Sequence, residues 1–162
     1  MLFRSLTLAD PATPCGGLPG RPAPDTTPPT LSASLKNKRF RVGKGTSLFG
    51  ARKKRAPVGT TFRYTLSEAA RVTIQLQRAL PGVKRGKRCL KPSKRRRGKR
   101  CTRFVRVGQL VRESPKGKSQ VPFNGRIKRK ALKPGKYRAV VSAVDAAGNR
   151  SAARNLNFQV VR

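Results

Sequence analysis

Apolar and polar residues alternate with period two along most of the chain after Leu31. Leu31, Ala33 and Leu35 alternate with Ser32 and Ser34, and Phe40 and Val42 extend that pattern after a turn at Asn37. Phe62, Tyr64 and Leu66 form one apolar face, and Val72, Ile74 and Leu76 form another. Such spacing predicts strands with one buried side, and the two runs read as an antiparallel hairpin turned by Ser67-Glu68-Ala69-Ala70. Phe104, Val105, Val107, Leu110 and Val111 predict a strand with a bulge near Gly108. Val121 and Phe123 predict a short strand that Pro122 confines to an edge or a bulge. Tyr137, Ala139, Val141 and Ala143 share a face, as do Leu156, Phe158 and Val160 in the last run. Pro134-Gly135 starts the first of these two runs, and Asp145-Ala146-Ala147-Gly148-Asn149 joins them through a loop able to supply a positive φ. No amphipathic helical period of useful length interrupts the series. About seven half-buried strands hide their apolar faces best as two antiparallel sheets packed face to face, an all-β sandwich.

Two stretches depart from this alternation. Residues 1–28 contain Pro11, Pro14, Pro19, Pro22, Pro24 and Pro28 among Gly, Ala and Thr. Such a segment buries too little apolar area to offset its ordering entropy and is expected to be a disordered leader before a domain at 29–162. Cys15 within it reads as an exposed thiol. Residues 81–102 form the second, a basic loop with Lys94, Arg95, Arg96, Arg97, Lys99 and Arg100 lying between Cys89 and Cys101. A Cys89–Cys101 disulfide is favoured over free thiols, and would staple the loop and indicate an oxidising compartment. Zinc is a poor alternative, because Cys15 is the only third thiol and there is no histidine.

Composition sharpens the picture through charge. Over 162 residues, 40 Lys and Arg face 5 Asp and Glu, for a net charge of +35. A polyanion would be attracted to such a surface; biased composition would produce the same number. The absence of histidine and the scarcity of carboxylates leave few general bases or nucleophiles, so no enzymatic activity and no cofactor are expected. Asp145 reads as a residue that hydrogen-bonds its own turn. Gly43-Lys44-Gly45-Thr46-Ser47 lacks the leading glycine and the following helix of a phosphate loop. Arg52-Lys53-Lys54-Arg55 reads as a solvated loop. No apolar run is long enough for a membrane-spanning helix, and the N-terminal stretch, with one early arginine and a short apolar patch, is too weak for a signal peptide.

Leu132-x-Pro-Gly-x-Tyr137 followed by Ala143-x-Asp-x-Ala-Gly-Asn-x-Ser151 resembles the C-terminal half of bacterial immunoglobulin-like and fibronectin type III-like modules. Val121-x-Phe-x-Gly-Arg126 and Leu66-Ser-Glu-x-Ala70 look like the same group, so the resemblance spans residues 28–162. It implies a module of secreted or cell-surface proteins, often in tandem with further sandwich domains. It also implies a tyrosine corner, in which the Tyr137 hydroxyl bonds backbone a few residues upstream. There is no tryptophan, and the two cysteines flank a loop instead of joining two sheets, so an antibody-type domain is excluded.

The expected function is that of a non-enzymatic extracellular or envelope-associated structural or adhesive unit, docking on anionic envelope polymers through its basic surface. The alternative is a nucleic-acid-binding protein that uses phosphate contacts. Against it, the basic clusters lack interleaved aromatics for base stacking and match no common nucleic-acid-binding motif.

Overall fold

Eleven strands arise from these alternating runs in a computed structural model that describes residues 25–43, 56–94 and 98–162. In chain order they are β1 (Leu31–Leu35), β2 (Arg39–Arg41), β3 (Thr60–Leu66), β4 (Ala70–Arg85), β5 (Arg88–Leu90) and β6 (Arg100–Ser114). They continue as β7 (Gly117–Phe123), β8 (Arg126–Ile127), β9 (Lys130–Ala131), β10 (Gly135–Val144) and β11 (Arg154–Val161). No helix occurs among the described residues. The leader up to Pro24 with Cys15, residues 44–47 of the glycine-lysine stretch, Arg52–Arg55 and Arg95, Arg96 and Arg97 lie outside the described residues.

The chain is all-β, with a small sheet ordered β1-β3-β7 and a large one ordered β2-β11-β10-β4 that β6 continues beyond β4. β8 and β9 form a separate two-stranded ribbon. The packing is sandwich-like. Leu31, Phe62, Tyr64, Leu66, Val121 and Phe123 bury their side chains from the small sheet. Val72, Ile74, Leu76, Ala139, Val141, Phe158 and Val160 meet them from the large one. Every buried residue within β3 and β10 falls on one parity, as half-buried strands require.

Aromatic rings knit the layers together. Phe40, fully buried on β2, stacks on Phe158 at 5.4 Å and meets Phe123 edge-on at 6.2 Å. Tyr137 stacks on the Phe158 ring, also at 5.4 Å. A buried hydrogen bond between Tyr64 Oη and Ser114 Oγ, 2.7 Å long, joins the small sheet to the end of β6.

Two expectations need correction. The β3 and β4 runs do not pair with each other. β3 lies between β1 and β7, while β4 lies between β10 and β6. Ser67–Ala69 instead carries the chain from one layer to the other, and the Ser67 hydroxyl accepts from the Thr30 N–H. A period-two run needs only a partner for its apolar face, and a facing sheet meets that need as well as a neighbouring strand does. The second correction concerns residues 81–102, where 81–85, 88–90 and 100–102 are strand. β4 continues to Arg85, β5 follows at once, and β6 begins at Arg100. Ladder pairing from Leu80↔Arg103 to Val83↔Arg100 overrides the weak local preference of Pro81-Gly82. The bulge expected near Gly108 is present: Leu76 pairs with Gly108 and Gln77 with Arg106, so Val107 is left over. Gly108 leaves space that Ile127 fills, since an added Cβ would come within 2.5 Å of the Ile127 Cγ2.

Candidate functional site

β4 is paired with β10 only as far as Arg78, opposite Tyr137. Beyond that row it runs on with β6 alone on one side, until β5 closes the other side from Val83 to Arg85. The result is an arm of about seven residues on β4, roughly 23 Å at strand rise, that runs on past the last row paired with β10. At its tip Gly86, at φ 56°, opens the two-residue turn between the paired Arg85 and Arg88.

A disulfide closes the arm. Cys89 on β5 and Cys101 on β6 are bridged with their Cα atoms 6.0 Å apart. The bridge stands over Gly82: a Cβ there would collide with Cys89 Sγ and lie 3.2 Å from Cys101 Sγ. Only glycine lets the two outer strands be tied across the middle one at this height.

The charge on the arm is of one sign. Residues 78–106 hold 14 of the 40 Lys and Arg and none of the 5 acids. Lys84, Arg85, Lys87 and Arg88 crowd the tip, and Lys94, Lys99 and Arg100 are exposed on the β5–β6 connection and the start of β6. The Lys84 N–H donates to the Lys99 carbonyl at 2.8 Å, which brings the second group against the first. The sequence-derived candidates Lys94, Lys99 and Arg100 therefore belong to the arm. Arg78, Lys84, Arg85, Lys87, Arg88 and Arg103 belong to it as well and were missed. The usable signal was Gly86, which marks a reversal inside the basic stretch.

Acids gather at the opposite end of β4. Asp25, Glu68 and Asp145 bring carboxylate oxygens within 4.8 Å of one another, and Glu113 pairs with Arg71 in the second row of the β4–β6 ladder. Three such carboxylates are suitable ligands for a hard cation. Both Asp145 oxygens, however, already accept from Asn149: Oδ1 from its N–H at 2.8 Å and Oδ2 from its side-chain amide at 2.9 Å. Burial pushes the Asp145 carboxyl up, but hydrogen bonds from the Asn149 side chain and from the Asn149, Gly148 and Ala147 N–H groups outweigh it and hold it below the usual value. The native chain then binds fewer protons there than the unfolded chain. That stability is present above the ordinary aspartate range and is lost as pH falls through the lowered native value. The urea midpoint is expected to drop between about pH 5 and about pH 3, and Asn149→Ala to flatten that drop.

On the outer face, Arg138 donates from Nε and Nη2 to Gln77 Oε1 at 3.0 and 2.6 Å. Its guanidinium carbon lies 3.7 Å from the centre of the exposed Phe104 ring. One face of the Phe104 ring is thus covered by a cation. On the core side, the Tyr137 hydroxyl donates to the Lys133 carbonyl, four residues upstream, at 2.6 Å. Burial raises that phenol above its ordinary value, against the opposing charge of Arg78.

The fold and site define a sandwich-like all-β chain with a disulfide-closed basic arm. No family model and no curated protein matches it. Among solved structures it is similar to the crystal structure of Spo0M, a sporulation control protein from Bacillus subtilis, at 14% identity and a TM-score of 0.40. That similarity covers 84% of this chain and 50% of the other, and is too slight to bear on family or activity. No helix among the described residues is long and apolar enough to cross a membrane.

Proposed function

We propose that this chain is a non-enzymatic β-sandwich module of the immunoglobulin and fibronectin type III kind, which docks on anionic polymers of the cell surface through its basic arm. Strand order supports the sandwich. Of the seven long strands in chain order, the first, second and fifth make one sheet, and the seventh, sixth, third and fourth make the other, as in fibronectin type III-like domains. The arm is then an enlarged hairpin between the third and fourth strands.

The observation that carries the docking is the one-signed charge held on a ladder-paired, disulfide-closed arm. Surface cations scattered over a domain attract polyanions diffusely. Cations fixed on a finger offer a linear polymer one place to lie. The disulfide supports an oxidising location, where surface polymers are the available polyanions. A non-enzymatic role fits the chemistry at hand: the sequence has no histidine, Glu113 is paired with Arg71, and Asp145 is committed to its turn.

Binding of the oxidised full chain to soluble linear polyphosphate, followed over a range of salt, tests the reading. Log K is expected to fall steeply with log salt. Changing Lys84, Arg85, Lys87, Arg88, Lys99 and Arg100 together to Gln is expected to reduce the slope by about four, at roughly 0.7 per contact on a flexible chain. A slope near zero, or one that the six changes leave intact, would discard the docking. A DNA duplex of equal charge binding about tenfold more tightly than the polymer would favour the nucleic-acid reading instead.

A further inference from the structure

We propose that the core-side face of the arm carries a discrete oxyanion site anchored by Arg103, which takes a phosphate or sulfate ester group of the bound polymer. The inference rests on the docking reading above and names the contact within it.

Directly opposed residues share a face, so Leu80 and Arg103 lie on the side that continues from the buried Leu76. The next row outward is Gly82 with Cys101, covered by the disulfide. The next row inward is Arg78 with Val105 and Tyr137. Arg103 therefore sits between the sulfur bridge and the edge of the sandwich, half-buried, in a row with no carboxylate. Its Nε is shut off from solvent and has no hydrogen-bond acceptor; among the described residues it is the one buried side-chain nitrogen or oxygen in that position.

A buried N–H without an acceptor costs free energy, and native proteins seldom leave one unless an ion or a water completes it. Here the donor belongs to a full positive charge. A water would satisfy the N–H but leave the charge unmatched. None of the described Asp or Glu side chains stands beside it: Asp25, Glu68 and Asp145 cluster at the other end of β4, and Glu113 pairs with Arg71 there. Arg78 lies diagonally across the same face and spends Nη2 on the Pro134 carbonyl at 3.1 Å. An oxyanion group with two adjacent oxygens suits the forked Nε and Nη donors of Arg103, and lysine cannot reproduce that fork.

The test uses the oxidised full chain. In the wild-type protein, inorganic phosphate or sulfate is titrated while the arginine Nε–H resonances are followed by NMR. The Arg103 signal is expected to shift first and to saturate. In parallel, Arg103→Lys and Arg100→Gln are compared for binding to polyphosphate and to a sulfated polysaccharide. Arg103→Lys keeps the charge, so the salt slope is expected to stay unchanged while affinity falls by about tenfold. Arg100→Gln, on the outer face, is expected to lower the slope by about 0.7 with a smaller loss of affinity. The polymer whose affinity drops selectively identifies the ester; a drop on both means either group is accepted. If wild type binds the polymers but Arg103→Lys binds as wild type does, or the arginine signals shift together without saturating, the site is refuted and the docking survives. If wild type binds neither polymer, the docking itself has failed.

Discussion

Phe40→Ala is expected to cost about 3–5 kcal/mol, a large share of the roughly 5–15 kcal/mol typical of a domain. Phe40 is fully buried at the centre of β2, only three residues long, where it stacks on Phe158 and touches Phe123. That strand links the layers: β1 belongs to the small sheet, and β2 pairs in parallel with β11 of the large one. Truncation empties a ring-sized space bordered by Phe158 of the large sheet and Phe123 of the small one. It also unseats the crossing, because β2 has no second buried side chain to hold it. Urea unfolding of the purified chain reads the change directly. A loss under about 1 kcal/mol would mean that the Phe40 site collapses freely, and that the two layers are not joined there.

Replacing Cys89 and Cys101 together by Ser is expected to cost roughly 3 kcal/mol on the chain-entropy account of a short closed loop. The cost is expected to be larger at low salt than at high salt. The bridge opposes repulsion among the arm cations, and salt screens the exposed members of that set. Hydrogen exchange should localise the effect: the amides of β5 and of residues 83–85 on β4 lose protection, while β10 and β11 keep theirs. Equal loss across both sheets would contradict a bridge that serves the arm alone.

Much of the fold was legible because period-two runs were clean where one face is buried. The β10–β11 hairpin follows from Tyr137 to Val144, the Gly148 turn and Leu156 to Val160, and its register pairs Tyr137 with Phe158. The bulge was legible because Val105 and Val107 break parity with Leu110. Layer assignment was not, since the faces of β3 and β4 look alike whether they pair or oppose each other. The arm was hidden for another reason: beyond Arg78 there is no buried face to print an alternation, and the strands persist through ladder bonds and a covalent tie. The candidate site was therefore half visible. The cysteines and the run from Lys94 to Arg100 stood out by composition, while Arg78 and Arg103 take their meaning only from the rows they occupy.

The most direct measurement is lysine acetylation of the oxidised full chain with and without linear polyphosphate, read residue by residue by mass spectrometry. Lys84, Lys87 and Lys99 are exposed on the arm, and Lys116 and Lys118 are exposed at the acidic end. The polymer is expected to slow modification of the first three several-fold and leave the other two unchanged. Equal protection at both ends would show a diffuse positive surface without a docking arm.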